Sequence, residues 1–383
     1  MTDDRPRRGN ASLTVRHRPF ELNLTRPLGT AHGDIRSRDG FVVAVERERD
    51  EATAVGVGEA TPLPGWTESR ETCAAALNRL SDSDGDGAAG DSLDALAHER
   101  VDALDAEATP AARHGVSLAL ADAAARGSGD RLADRLAAEA DLDATPADAV
   151  PVNATVGDGD PTETAGEARR AVEEGFDCLK LKVGVRSVDA DVERVRAVRE
   201  AVGNGVALRV DANGAWDRTT ARRALDALAA FDLAYVEQPL PADDLEGLAA
   251  LREDDPSSRV PIAVDESVAA HGVDAVLEAD AADVAVLKPM ALGGPDRALA
   301  AALRARSAGV EPVVTTTIDA VVARTAAVHV AAAIPDVSPC GLATGSLLDE
   351  DLAPDPCPVA DGRMPVPSGP GLAGDAFDEL RRS

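Results

Sequence analysis

The sequence predicts an α/β protein: a (β/α)7β TIM-like barrel with an N-terminal α+β capping domain that the C-terminal tail completes. Three observations carry this expectation. First, from Val150 onward short apolar runs alternate with amphipathic stretches at a steady pitch. The 106 residues from Lys182 to Lys288 divide into four intervals of roughly 26 residues, the length of one strand plus one crossover helix. Eight such strands joined by right-handed connections point to a barrel rather than an open sheet. Second, successive strands each end in a charged residue that an apolar barrel would not otherwise choose. Third, the residues before 126 lack this pitch and read as strands followed by helices.

Taken in order, Ser12–Arg18, Gly40–Arg47 and Ala54–Glu59 alternate as strands, with Pro27–Asp39 expected as a flexible loop. Glu71–Leu80 and Asp91–Leu104 have helical spacing and flank the acidic run Ser81–Asp91, an exposed linker; Pro110–Arg126 is a further helix. Residues 1–125 are therefore expected to form the cap, 126–149 a linker, 150–345 the barrel, and 346–383 a Pro-rich tail that packs back on the cap. Barrel strands are expected to end near Thr155, Lys182, Asp211, Glu237, Asp265, Lys288, Thr316 and Ala343.

Composition removes several function classes. A net charge of −29 repels phosphate backbones, and 2% aromatic residues leave few platforms for bases, so no nucleic-acid partner is expected. No run approaches the roughly 20 apolar residues that a membrane span needs. The opening MTDDRPRRGN has no apolar core of a secretory signal, and a cytoplasmic location is expected. The acidic surface suits concentrated salt, although a codon bias towards Ala, Asp, Gly and Arg produces the same composition. Cys73, Cys178, Cys340 and Cys357 are scattered without a CxxC pair and read as reduced, buried thiols.

The basic residues divide unevenly. Of 39, only Lys180, Lys182 and Lys288 are lysine. All three sit in apolar, strand-like runs, Cys178-Leu179-Lys180-Leu181-Lys182 and Val286-Leu287-Lys288-Pro289. An arginine replaces lysine on a surface, but its guanidinium holds the proton too tightly to act as a general base. Three lysines that survive where a charge is costly therefore point to proton transfer.

Between them lie Asp211 in Arg209-Val210-Asp211-Ala212-Asn213, Glu237 in Val236-Glu237-Gln238-Pro239, and Asp265 in Val264-Asp265-Glu266-Ser267. Side chains alternate along a strand, so Lys180 shares a face with Lys182, and Arg209 shares one with Asp211 and Asn213. Three carboxylates from consecutive strand ends would repel strongly unless a cation sat among them. An all-oxygen donor set favours Mg2+, with Mn2+ second, and no His or Cys stands near for zinc. A metal on a substrate carboxylate makes the adjacent C–H removable by stabilising the enediolate, and a lysine on either side can move the proton. The partner implied is a small-molecule carboxylate. Assembly as a homo-oligomer is left open.

These motifs resemble the enolase superfamily, specifically its muconate-lactonizing-enzyme subgroup, with KxK on the second barrel strand and a lysine on the sixth. Gly58-Glu59-Ala60-Thr61-Pro62-Leu63-Pro64-Gly65-Trp66, Leu287-Lys288-Pro289-Met290 through Gly294, and Val314-Thr315-Thr316-Thr317-Ile318-Asp319 look most like the o-succinylbenzoate synthase branch. The resemblance implies Asp211, Glu237 and Asp265 as metal ligands. It implies Lys182 as general base, Lys288 as the opposing cation that steadies the enediolate, and Lys180 as electrostatic support. The implied reaction is Mg2+-dependent syn dehydration of 2-succinyl-6-hydroxy-2,4-cyclohexadiene-1-carboxylate to o-succinylbenzoate in menaquinone biosynthesis. Candidate substrate contacts are Trp66, Arg209, Asn213, Thr315, Thr316, Thr317, Gly341 and Thr344, with the loop Pro27–Asp39; His32 in that loop reads as a surface histidine rather than one that reaches the mouth.

The resemblance also supplies rivals. An N-acylamino-acid racemase, a dipeptide epimerase or a muconate cycloisomerase would use the same metal and lysines, and a barrel that has lost catalysis would merely bind. Dipeptide epimerases of this kind place a DxD on the eighth strand, where this chain reads Cys340-Gly341-Leu342-Ala343-Thr344-Gly345. Strand seven carries Thr-Thr-Thr-Ile-Asp where many relatives have a serine-rich run ending in Glu.

Overall fold

The structure, a computed structural model, describes residues 11–30, 33–49, 52–81, 93–157, 159–253 and 260–382. The described residues begin with an antiparallel meander of β1 (Ala11–Thr30), β2 (Gly33–Arg49) and β3 (Ala52–Ala60). Leu13 and Val15 are buried while Thr14 and Arg16 are exposed, the alternation of a half-buried strand. Helices α1 (Arg70–Ser81), α2 (Leu93–Asp102) and α3 (Pro110–Ser128) follow. Pro110 opens α3, and the Glu68 carboxylate accepts the free N–H groups of Ala111 and Ala112 at 3.0 and 2.9 Å. This helix lies directly on β3. A Cβ at Gly56 or Gly58 would come within 2.0 Å of the carbonyls of Ala119 and Gly115.

Most of Pro27–Asp39 is not a loop but the paired end of β1 and β2, with Leu28 opposite Ile35 and Thr30 opposite Gly33 after a register shift. Leu22 and Leu24 keep the strand going because they have a core to enter, packing with Ala320 and Leu348 from the far end of the chain. His32 and the acidic run after Ser81 lie outside the described residues.

Helix α4 (Leu132–Glu139) occupies part of the stretch expected as a linker. Then β4 (Ala149–Pro151) leads to a parallel sheet. Its strands are β5 (Ala154–Val156), β6 (Cys178–Lys182), β7 (Ala207–Asp211), β8 (Leu233–Glu237), β9 (Ile262–Val264), β10 (Val284–Leu287) and β11 (Glu311–Val314), each hydrogen-bonded to the next. Between them run α5 (Pro161–Glu173), α6 (Val188–Val202), α7 (Arg218–Leu228), α8 (Leu245–Arg252), α9 (Glu266–Glu278), the short α10 (Pro289–Leu292) and α11 (Pro295–Ser307). Local sequence starts these helices: Asp160 forms a capping box with Glu163, and Ser187, Asp217 and Asp244 cap α6, α7 and α8. Helix α12 (Val321–Ala333) follows β11 and is buried along its whole length.

The eighth strand is reduced to single bridges. Cys340 pairs with Val152 and Gly341 with Thr315, which joins the two edges of the sheet. Pro339 has no N–H to offer, and a Cβ at position 341 would meet the Thr315 hydroxyl at 2.6 Å, so the segment cannot extend as an ordinary strand. The tail then returns to the cap. Its β12 (Arg363–Pro365) pairs with β4, and Arg381 in α13 (Asp378–Arg382) reaches the fully buried Asp122 of α3 at 3.0 Å. All four cysteines are free and buried, and no helix among the described residues is long and apolar enough to cross a membrane.

Candidate active site

Parallel register assembles the site. Lys182 stands opposite Asp211 across β6 and β7, and Asp211 stands opposite Glu237 across β7 and β8. Asp265 follows β9 directly as the residue before α9, and Lys288 follows β10. Outward side chains such as Leu179, Leu181, Val210 and Val236 belong to the large core under the helices. Because alternation is strict, the intervening residues on these strands face the barrel axis.

There the charged groups meet. The Lys180 ammonium lies 2.6 Å from Glu237 Oε1 and 2.9 Å from Asp211 Oδ2. Lys182 Nζ lies 2.8 Å from the same Asp211 oxygen and donates to Asn213 Oδ1 at 2.8 Å. On the other side, Lys288 Nζ lies 2.5 Å from Asp265 Oδ2 and 3.1 Å from the centre of the Trp66 ring, which the cap contributes. Asp211 and Glu237 are sealed at 1% exposure, whereas the Lys182 side chain is 39% exposed and opens to solvent.

Electrostatics separate the carboxylates. Burial alone would raise the Asp211 pKa, but Lys180 and Lys182 outweigh it and hold this group well below the carboxylate range. Glu237 is pushed up to about 8 by burial and by the charge of Asp211, with Lys180 only partly offsetting them. Burial would lower the Lys180 pKa, yet Asp211 and Glu237 hold its ammonium well above the usual value.

The donor set fits a hard cation. Glu237 Oε2 is buried and accepts no hydrogen bond, leaving one oxygen available where three strand ends converge. As they stand, no three acidic, His or Cys side chains among the described residues are arranged as metal ligands. Each carboxylate also has an oxygen turned to a lysine ammonium, and a cation bound among them would share these carboxylates with the lysines.

The remaining candidates divide by depth. Arg209 sits below the mouth, stacked at 4.7 Å on the Tyr235 ring and donating to the Pro339 carbonyl at 2.6 Å, where it braces the barrel. Thr315 donates to the Gly341 carbonyl, Thr316 and Thr344 share a hydrogen bond at 3.1 Å, and Thr317 donates to the buried Asp319.

Sequence reasoning missed four supporting residues. Gln238, at a left-handed φ of 39°, accepts the backbone N–H groups of Asp265 and Ser267 and so ties β8 to the Asp265 turn. Glu266 accepts from Asn213 Nδ2 at 3.0 Å. Glu59 of the cap accepts from the N–H groups of Ala320 and Ala323, both at 2.8 Å, and Arg38 donates to the carbonyls of Thr61, Pro62 and Ile318. These last two clamp the cap loop that bears Trp66 to the strand end that bears Thr315–Thr317. Ionisable residues inside apolar runs were the signal for Glu59. Nothing local marked Arg38.

A curled parallel sheet of seven strands whose edges meet through single bridges, with a capping domain and with acids and lysines interlaced at its mouth, defines a class of barrel enzyme. A family model described as enolase C-terminal domain-like matches residues 163–379, and the chain belongs to that family, within the enolase superfamily. It is 43% identical to the o-succinylbenzoate synthase of Thermobifida fusca over 57% of this chain and 67% of that protein. It is 31% identical to the hydrophobic dipeptide epimerase of Enterococcus faecalis over 91% of this chain and 93% of that one. The crystal structure of the dipeptide epimerase from Methylococcus capsulatus, complexed with Mg and the dipeptide L-Arg-D-Lys, superposes with a TM-score of 0.80 at 30% identity. That match covers 94% of this chain and 99% of that one.

Proposed function

We propose that this enzyme is a lyase that dehydrates 2-succinyl-6-hydroxy-2,4-cyclohexadiene-1-carboxylate to o-succinylbenzoate, as a step of menaquinone biosynthesis in a salt-rich cytoplasm. The observation that carries the reading is the placement of Lys182 and Lys288 on opposite sides of three carboxylates, with Lys182 open to solvent and Lys288 covered. Asp211, Glu237 and Asp265 would hold Mg2+ or Mn2+. Bound there, the ion supplies positive charge against the substrate carboxylate, which makes the neighbouring C–H acidic enough to remove.

The chain's own groups do the rest. Lys182 Nζ takes the proton from the carbon beside the carboxylate. The ring C–O bond then breaks on the same face, and the departing hydroxide takes that proton back from Lys182 and leaves as water. Lys288, facing the other side, keeps its positive charge against the developing anion. Lys180, bridging Asp211 and Glu237, stays protonated and holds both carboxylates in place. Trp66 and the Thr315–Thr317 segment would contact the succinyl arm.

A racemase or epimerase is the second reading, favoured by the 31% identity to a dipeptide epimerase along nearly the whole chain. Against a dipeptide substrate stands the segment Cys340–Gly345, which offers no carboxylate for a substrate ammonium. The experiment is turnover of the cyclohexadiene carboxylate with Mg2+ in molar salt, followed by the absorbance of o-succinylbenzoate. Product formation that a chelator abolishes is expected. No product, together with α-proton exchange of N-succinyl amino acids in D2O, would transfer the enzyme to the racemase reading.

A further inference from the structure

Beyond β7 the chain turns at Asn213, whose φ of 45° lies in the left-handed region that asparagine enters more readily than most side chains. Three hydrogen bonds hold it. Its backbone N–H donates to Asp211 Oδ1 at 3.0 Å, its Nδ2 donates to Glu266 Oε1 at 3.0 Å, and its Oδ1 accepts from Lys182 Nζ at 2.8 Å. An amide has a donor end and an acceptor end. Glu266 takes the donor end, so the acceptor end is left for the lysine. Reversing the amide would set its NH2 against the lysine's own N–H groups and its oxygen against a carboxyl oxygen. The second oxygen of Glu266 is buried without a hydrogen-bond partner, so Asn213 is the side chain this carboxyl group serves.

We infer that Glu266, acting through Asn213, positions the amine of Lys182 so that its lone pair faces the substrate; the inference rests on Lys182 being the base. A neutral amine has two N–H bonds and one lone pair. Two acceptors stand beside Lys182 Nζ, Asp211 Oδ2 and Asn213 Oδ1, each at 2.8 Å. With both N–H groups engaged, the lone pair takes the remaining direction, towards the solvent-open side of this side chain. Without Asn213 the amine rotates about its terminal bond and one N–H competes for the direction the lone pair must occupy. Asn213 and Glu266 are positioning residues in this scheme, and neither touches the reacting carbon.

A double-mutant cycle tests it. Asn213→Ala, Glu266→Met and the double variant are compared for kcat and KM on the cyclohexadiene carboxylate and for Mg2+ affinity by calorimetry. Each single variant should lose about 10- to 100-fold in kcat, with KM changed less than about threefold and Mg2+ binding retained. The double variant should fall no further than the weaker single one, because Glu266 works only through Asn213. Glu266→Gln, which keeps an acceptor oxygen, should recover most of the loss. Losses that multiply in the double variant, that fall on KM, or that track lost Mg2+ would overturn the inference. Should Glu266→Met not fold, an unchanged kcat in the surface-exposed Asn213→Ala does so alone. Lys182→Ala run alongside separates the two claims. If it still turns over, the base assignment is wrong; if it is inactive while the cycle is additive, only the positioning scheme fails.

Discussion

His329 fastens three parts of the molecule, and its chemistry predicts how the fold responds to acid. It lies in the buried helix α12, fully enclosed. Its Nδ1 accepts the Ala133 N–H from α4 at 3.2 Å, and its Nε2–H donates to the Leu372 carbonyl of the tail at 2.7 Å. That pattern requires the neutral ring, since a proton on Nδ1 would face a donor. Burial accordingly lowers its pKa from 6.5 to about 4. The sign follows. Between those two values the unfolded chain binds a proton that the folded one refuses, so this contribution is complete above pH 6.5 and is lost as pH falls through 4. The interval is worth about 3 kcal/mol. His329→Gln keeps one donor and one acceptor but cannot titrate. Urea unfolding at constant high salt, at pH 7, 6, 5 and 4, should show the wild type losing about 3 kcal/mol more than the variant over that range. Parallel pH profiles for the two proteins would refute the reasoning.

Three further outcomes are expected. Arg381→Met leaves Asp122 buried without its cation and should destabilise the fold by about 3–5 kcal/mol, read from unfolding at neutral pH; an unchanged midpoint would mean that the tail is not fastened there. Lys288→Arg keeps the positive charge, so dehydration should persist in part, while any two-sided proton exchange with N-succinyl amino acids should vanish; full loss of dehydration would give Lys288 a proton-transfer role. Trp66→Leu removes the ring over Lys288 and should lower kcat/KM by roughly 3- to 30-fold without changing stability much.

The sequence made the barrel legible because its period is a local property: the length of a strand and a return helix repeats wherever the chain crosses the sheet. The charged strand ends were legible for a related reason. Lys180, Asp211 and Glu237 each break an apolar run, and parallel register puts Lys182, Asp211 and Glu237 side by side. What escaped were features set by distant contacts. Pro27–Asp39 looks like a loop from its glycine, proline and threonine, yet nearby leucines that pack on Leu348 carry the strands through most of it. Strand eight looks like its neighbours until the close approach of Thr315 restricts Gly341. Arg38 carries no local signal at all, because its role depends on carbonyls just past the adjacent strand β3, at Thr61 and Pro62, and on that of Ile318. Glu266 stood next to Asp265 in plain view, but only the left-handed turn at Asn213 gives the Glu266 carboxyl group something to hold.

The proposed chemistry needs one divalent ion held by three carboxylates that lysines also engage. Anomalous diffraction from crystals grown with Mn2+ addresses that directly. A single strong peak at about 2.0–2.3 Å from oxygens of Asp211, Glu237 and Asp265 is expected. An empty barrel mouth at saturating Mn2+, or an ion bound only elsewhere on the acidic surface, would contradict it.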